Sequence, residues 1–491
     1  MNAPLRRVAA ACVVLLLALF VNSTVLQVVE AKGLRNNRYN GRVLAFEYSH
    51  ERGQIVVGGR AIAESVATHD SLKYLRRYPG GAEYAPITGY YSLVYGSSGI
   101  EQTNNSILSG DDDRLFVRRL SDLITGRTPQ GGAIVLTINP AAQDAAWRMM
   151  QGKRGAVVAL DPHTGAVLAL VTSPSYDPSV LSTHDPAAIR RTWAALQADP
   201  AQPMLDRALS QIYPPGSMFK IVTVAAAFSS GRYGPDTRVA SPTRLPLPLS
   251  TRTLGNFGGE SCGDGHTDTI SDAFRISCNT AFGGLGLALG ISRLAAAAGS
   301  FGIGNSLSVP LAVVASNFPA NADAPETALS AIGQFNVAIT PLQAALLGAA
   351  VADNGVEMKP YLVAEAKSPD LSTLDVAKPQ IYRRPMSAAV AAEVRGVMEL
   401  VVASGTGTAA QIPGITVAGK TGTAQHCATP DTPQSCPPPH AWFVSFAPAA
   451  DPRVVVAVVV ENGGGLGSDA TGGAVAAPIA RAVMCAVLGC R

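Results

Sequence analysis

The chain has 491 residues, 47% of them hydrophobic and 15% charged, which allows two or three domains and excludes a disordered polymer. Its formal net charge of +3 comes from 38 Lys plus Arg against 35 Asp plus Glu, without a basic run or a basic–aromatic stripe. That pattern argues against a nucleic-acid partner. Only 8 of the basic residues are Lys against 30 Arg, so each lysine is informative.

Arg6 and Arg7 precede an apolar run from Val8 to Val21, which continues through Asn22-Ser23-Thr24 to Val29. About 22 such residues span a bilayer core of about 30 Å. The arginines predict a cytoplasmic N-terminus and an extracytoplasmic remainder. A cleaved signal peptide is the competing reading, disfavoured because no Ala-x-Ala site follows. Cys262, Cys278, Cys427, Cys436, Cys485 and Cys490 lie beyond the span, where disulfides can form. Their pairing stays open, with short loops favouring Cys427–Cys436 and then Cys262–Cys278. His426 and His440 flank the former pair, so zinc is an alternative there.

Residues 30 to about 125 are polar and rich in Arg, Gly, Tyr and Asn, with alternating stretches such as Gln54-Ile55-Val56-Val57. They read as strands and loops without a strong core. The turn-rich joint Thr125 to Gly132 (TGRTPQGG) precedes a shift to Ala, Val and Leu. The chain therefore divides into a stub and anchor (1–29), a polar, strand-rich region (30–130) and a second domain (131–491).

The second domain opens with a strand at Ala133 to Ile138 and a helix from Pro140 to Met150. Strands follow at Gly155 to Leu160 and Ala166 to Thr172, joined by the turn Asp161-Pro162-His163-Thr164-Gly165. An Ala-rich, mainly helical stretch fills the middle. Three further strands are predicted at Gly414 to Thr423, His440 to Phe446 and Val454 to Glu461, then a closing helix from Gly473 to Leu488. Two strands early and three late must return to one sheet. The expected fold is α+β: a five-stranded, mainly antiparallel sheet with flanking helices and an all-helical insertion.

Three short motifs carry the chemistry. In Tyr213-Pro214-Pro215-Gly216-Ser217-Met218-Phe219-Lys220 the prolines and glycine stop what precedes, and Met218 to Phe228 is a strong helical run. Ser217 then sits at a helix N-terminus with Lys220 one turn on, on the same face. A serine hydroxyl needs a base to become a nucleophile. Lysine can serve if burial and a second cation depress its pKa, whereas arginine cannot. Helix capping is the bland explanation of such a serine, yet only one of the 8 lysines has Ser three residues before it.

Ser277-Cys278-Asn279 follows a helical pattern and can bring a hydroxyl and an amide to one pocket from a turn. There Ser277 relays a proton and Asn279 holds a substrate amide. Lys420-Thr421-Gly422-Thr423 lies on a predicted strand. Lys420 supplies the second cation and pairs with a substrate carboxylate, which Thr421 or Thr423 also contacts. Gly422 leaves room for a peptide along the strand, and the N–H groups of Thr423 and Ser217 can form an oxyanion hole. Singly the last two motifs are turns; together, once each and in this order, they form a site.

This trio resembles that of penicillin-binding proteins and class A β-lactamases. The segments GAVVALDPHTGAVLALVTSPSYDP, SGTGTAAQIPGITVAGKTGTAQ and HAWFVSFAP with VVVAVVVENG look like the transpeptidase domain of the former. Arg52-Gly53-Gln54-Ile55, Tyr78-Pro79 and Gly99-Ile100-Glu101 resemble the class B pedestal. The chain is most similar to the actinobacterial penicillin-binding protein A type. The resemblance implies a membrane-anchored peptidoglycan D,D-transpeptidase, and nothing in the sequence indicates a metal or organic cofactor. Its Ser217 would be acylated by D-Ala-D-Ala stem peptides and by β-lactams, with Lys220 as base and wall-synthesis proteins met through the pedestal. Only about 100 residues separate anchor and joint, too few for the glycosyltransferase of a bifunctional synthase. A D,D-carboxypeptidase shares the acylation step, and a silent scaffold would not keep the trio intact. The segment His426 to His440, rich in Pro and Thr, reads as a loop beside the site in preference to a lid.

Overall fold

The computed structural model describes residues 2–30, 48–126, 128–426 and 436–490. Asn2–Thr24 is an α-helix that runs on as a π-turn, Val25–Val29. Within it Arg6–Val29 is long and apolar enough to cross a membrane, and none of the described residues buries it.

Five strands form the predicted antiparallel sheet, in the spatial order Ala418–Ala424, His440–Ala447, Val454–Val460, Gly155–Leu160, Val167–Ser173. Their apolar runs are continuous because both faces are covered. On one face Val158, Trp442, Val444, Val455 and Val459 join a core that includes the helix Pro341–Ala352, buried at all twelve positions. That helix lies so close that a Cβ on Gly348 would stand 2.8 Å from Val444 Cγ2. On the other face Val157, Phe443, Val456 and Val458 meet the helices Pro140–Met150 and Ala477–Leu488. The strand Ala418–Ala424 ends the sheet, so one of its edges pairs with no strand among the described residues.

A second sheet has six strands, in the order Thr373–Val376, Val363–Lys367, Ala133–Leu136, Ile55–Val57, Arg60–Ala67, Tyr74–Arg77. It takes strands from both sides of the joint at 125–132, with Ile55–Val57 parallel to Ala133–Leu136. The region before the joint also has more core than its composition suggests. Ile55, Val57, Ile62, Tyr78, Ile87 and Ile100 are buried and continuous with the main core. It contains short helices as well, among them Gly81–Thr88 and Gly99–Thr103, where the sequence predicts strands and loops. These are one or two turns long, too short for a 3.6-residue period to register.

The pedestal is clamped by one carboxylate. Glu101, fully buried, accepts from Arg52 Nε at 2.6 Å and Arg76 Nε at 2.7 Å. Burial alone would raise its pKa; Arg76 and Arg52 together hold it below the ordinary carboxylate value. Arg76 also donates to the carbonyl of Gly53 at 2.8 Å, tying the triad to the strand entry. Removing the carboxylate leaves two buried guanidinium groups uncompensated. Glu101→Ala is therefore expected to destabilise the protein by about 3–5 kcal/mol, read as a fall in denaturant midpoint; an unchanged midpoint would contradict the clamp.

Candidate active site

The nucleophile turn is built by its neighbours. Gly216–Phe219 is a single 3₁₀ turn leading into the helix Lys220–Ser229. Gly216 has φ of +55°, and a Cβ there would stand 2.6 Å from the carbonyl oxygen of Thr423. Its N–H donates to the Gly333 carbonyl at 2.9 Å. From the second strand of the sheet, Trp442 Nε1 donates to the Pro214 carbonyl at 3.0 Å. Gly422 completes the contact: a Cβ there would meet the Pro215 oxygen at 2.6 Å. Its missing side chain thus lets the strand press on the nucleophile turn, a different service from the room for a peptide that the sequence suggests.

All three motifs meet at the head of the helix Lys220–Ser229. Ser217 is half-buried, while Lys220 and Lys420 have no exposed surface. Lys220 Nζ donates to the Ser277 carbonyl at 2.7 Å and to Asn279 Oδ1 at 2.8 Å, and lies 3.4 Å from Ser277 Oγ. Lys420 Nζ donates to Ser277 Oγ at 2.8 Å and to the Thr421 carbonyl at 3.1 Å. The Ser217 hydroxyl donates to Asn279 Oδ1 at 3.5 Å, the outer limit of a hydrogen bond. The serine and its lysine are therefore linked through the amide oxygen, and the hydroxyl is loosely held.

Burial pushes the Lys220 amine well below the ordinary lysine value, and the charge of Lys420 adds to the effect. Burial and a second cation are the two effects that the sequence reading asks of such a lysine. Phe282 and Phe274 wall the two amines off from water, their ring centres 5.5 Å from Lys220 Nζ and 5.4 Å from Lys420 Nζ. Burial also lowers Lys420, to about 7. A neutral Lys220 has two N–H bonds. Both are occupied by the Ser277 carbonyl and Asn279 Oδ1, which can only accept. The lone pair is left for a hydroxyl proton, which is the state a general base requires.

Thr421 Oγ1 shares a 2.6 Å hydrogen bond with Thr406 Oγ1, and Thr423 Oγ1 accepts from the Gly472 N–H at 3.4 Å. Ser277 has φ of +66°, an uncommon conformation for a non-glycine residue. The Cys262–Cys278 disulfide closes beside it, as one of the two favoured pairings anticipates. The other pairing falls on Cys427, outside the described residues, as does most of the segment between His426 and His440. Those two imidazoles stack at 3.8 Å. Behind the turn a cavity of about 280 Å³ is lined by Tyr213, Pro214, His440 and Glu461 among others, but not by Ser217 or either active-site lysine. Glu461 accepts from Tyr213 Oη at 2.7 Å and Arg207 Nε at 2.9 Å, bracing the approach to the turn. Asn256, Thr406 and Trp442 touch this machinery without any spacing signal in the sequence.

The family model for the penicillin-binding protein transpeptidase domain matches residues 155–485. That for the penicillin-binding protein A dimerisation domain matches 52–134. The chain is 49% identical over 494 residues to the peptidoglycan D,D-transpeptidase PbpA of Mycolicibacterium smegmatis, covering 99% of each chain. It is 46% identical over 498 residues to PbpA of Mycobacterium tuberculosis, again covering 99% of each. The M. tuberculosis penicillin-binding protein A, solved as a ceftriaxone acyl-enzyme complex, superposes with a TM-score of 0.87 at 44% identity, over 90% of this chain and 100% of that one. A second crystal structure of the M. tuberculosis protein gives 0.85 at 45% identity, with the same coverage. With the three motifs joined by hydrogen bonds at one site and both family models matched in order, the chain belongs to the class B penicillin-binding proteins of the PbpA type.

Proposed function

We propose that the chain is a peptidoglycan D,D-transpeptidase whose acyl carrier is Ser217. The observation that carries this reading is the fully buried Lys220 amine, which donates to the Ser277 carbonyl and Asn279 Oδ1, two groups that only accept, so that in its neutral form the lone pair is left for a hydroxyl. Ser217 Oγ attacks the carbonyl carbon of the penultimate D-Ala, and its proton passes to Lys220 Nζ. Oxygen–carbon bond formation gives a tetrahedral oxyanion, held by the N–H groups of Ser217 and Thr423. The Lys220 proton then travels through Ser277 Oγ to the leaving nitrogen; the C–N bond breaks and the terminal D-Ala departs. An acceptor amine from a second stem peptide reverses the sequence, forming the cross-link and freeing Ser217. A β-lactam enters by the same first step, opening its ring amide to leave an ester on Ser217. Lys420, with Thr421 and Thr423, grips the carboxylate that both ligands carry, and Asn279 orients the substrate amide.

The helix Asn2–Val29 anchors the enzyme, with Arg6 and Arg7 on the cytoplasmic side and the catalytic part outside. Residues 30–130 serve as the pedestal and 131–491 as the catalytic unit, the former offering a surface to wall-synthesis or division proteins. The acyl-enzyme form of the M. tuberculosis relative supports the acylation step, and the matched dimerisation model supports the pedestal.

Labelling with fluorescent penicillin tests the assignment. Wild type is expected to label and Ser217→Ala not at all, a loss of about 10⁶ in rate. Lys220→Arg is expected to behave nearly as the serine knockout although it keeps the charge, because a guanidinium does not deprotonate. Substantial acylation by Lys220→Arg would remove Lys220 as the base. Thr423→Ala should cost far less, since the oxyanion contact comes from its backbone.

The pH dependence supplies a separate check. Lys420 is lowered to about 7 by burial, so in the free enzyme its ammonium, and with it the carboxylate grip, is present below that pH and lost above it. The second-order acylation constant is expected to decline along an alkaline limb near pH 7. In Lys420→Arg that limb should disappear from the accessible range. An identical limb in both enzymes would assign it elsewhere.

A further inference from the structure

Ser277 and Asn279 lie at the turn between the helices Ile270–Arg275 and Asn279–Leu289. The second helix begins without help from its own N-cap residue: Cys278 makes no side-chain capping bond. Its first free N–H groups go elsewhere. Asn256, from the loop after the strand Thr253–Gly255, places Oδ1 2.8 Å from the Asn279 N–H and 3.1 Å from that of Thr280. Its Nδ2 donates to the Glu260 carbonyl at 2.9 Å, which fixes the way its amide points. The preceding residue holds the other end of Asn279: the Gly255 carbonyl accepts from Asn279 Nδ2 at 3.2 Å.

These contacts decide an orientation that matters for the reaction. A carbonyl oxygen accepts and never donates, so Gly255 turns the Asn279 amide with its nitrogen outward and its Oδ1 toward Lys220 and Ser217. Asn256 fixes the backbone from which that side chain projects. The same loop is joined to the same turn by the Cys262–Cys278 disulfide, and Ser277 is held there at positive φ. Asn279 Oδ1 is the atom through which Ser217 and Lys220 are linked.

We infer that Asn256 is a positioning residue for the acylation reaction: it caps the helix Asn279–Leu289 from outside and thereby sets the place of Asn279 Oδ1 between nucleophile and base. The inference rests on the role given above to Asn279, and it adds a residue that touches neither substrate nor the reacting atoms.

The test is a double-mutant cycle on the second-order rate of penicillin acylation, with full-length protein in detergent and thermal midpoints recorded beside it. Asn279→Ala establishes the role of the amide itself; if it acylates like wild type, the reading of Asn279 fails first. Given that loss, Asn256→Ala is expected to slow acylation by about 10²-fold, the scale of an ångström-sized misplacement. In the Asn279→Ala background the same change should cost nothing further, because the group it positions is already gone. Asn256→Asp keeps an acceptor for both N–H groups but loses the bond to Glu260, and is expected to retain most of the rate. Asn256→Ser, too short to reach both N–H groups, is expected to follow the Ala variant and serves if that variant does not fold. The inference is overturned by an undiminished rate in Asn256→Ala or Asn256→Ser. Equal losses with and without Asn279, or equal losses for Ala and Asp, would also overturn it, since they would reduce Asn256 to a loop tether.

Discussion

Two lysine amines buried against one serine hydroxyl form the constraint on which the structure depends. Among the described residues neither has a carboxylate within its hydrogen-bonding shell: Lys220 meets a carbonyl, an amide oxygen and Ser277, and Lys420 meets Ser277 and a carbonyl. Withdrawing two charges from water into such a place is expensive. The least costly response is for one amine to remain neutral. Lys220 is the deeper in acceptors and takes that state, which turns a burial penalty into a base. Lys420, nearer to titrating at physiological pH, can keep the charge that an anionic ligand would then stabilise.

Holding such a pair requires a rigid surround, and the fold supplies it from segments far apart in sequence. The sheet is packed on both faces, so the strand Ala418–Ala424 cannot move without disturbing two cores. Gly216 and Gly422 let backbone meet backbone where strand and nucleophile turn touch, and Trp442 and Glu461 brace that turn from behind. Residues 253–262 clamp the remaining member, the Ser277–Asn279 turn. The pedestal uses the opposite electrostatic solution: Glu101 is buried with its two arginines, and each charge there has its partner.

How legible all this is in the sequence depends on the length scale of each signal. The run Val454–Val460 reads as a strand buried on both faces because every residue is apolar. Ser217 and Lys220 are legible because chemistry demands that pair at helical spacing, and Lys420 because Lys is scarce here. Non-local effects are not legible. Ala133–Leu136 reads as a strand, but its parallel partner Ile55–Val57 lies about 80 residues earlier, and no local pattern announces it. Asn256 is one polar residue in a polar loop, and only the folded chain reveals that it caps a distant helix. Gly422 is legible as important, but the atom that forbids a side chain there belongs to Pro215, two hundred positions away.

The central claim is the protonation state of Lys220, and it can be observed directly. With only 8 lysines in the chain, selective carbon-13 labelling at Cε gives a spectrum that single Lys→Arg variants can assign. The account predicts that the Lys220 resonance has the shift of a free amine at pH 7 and stays there on raising the pH. A Lys220 signal that remains that of an ammonium until pH 10 would contradict it.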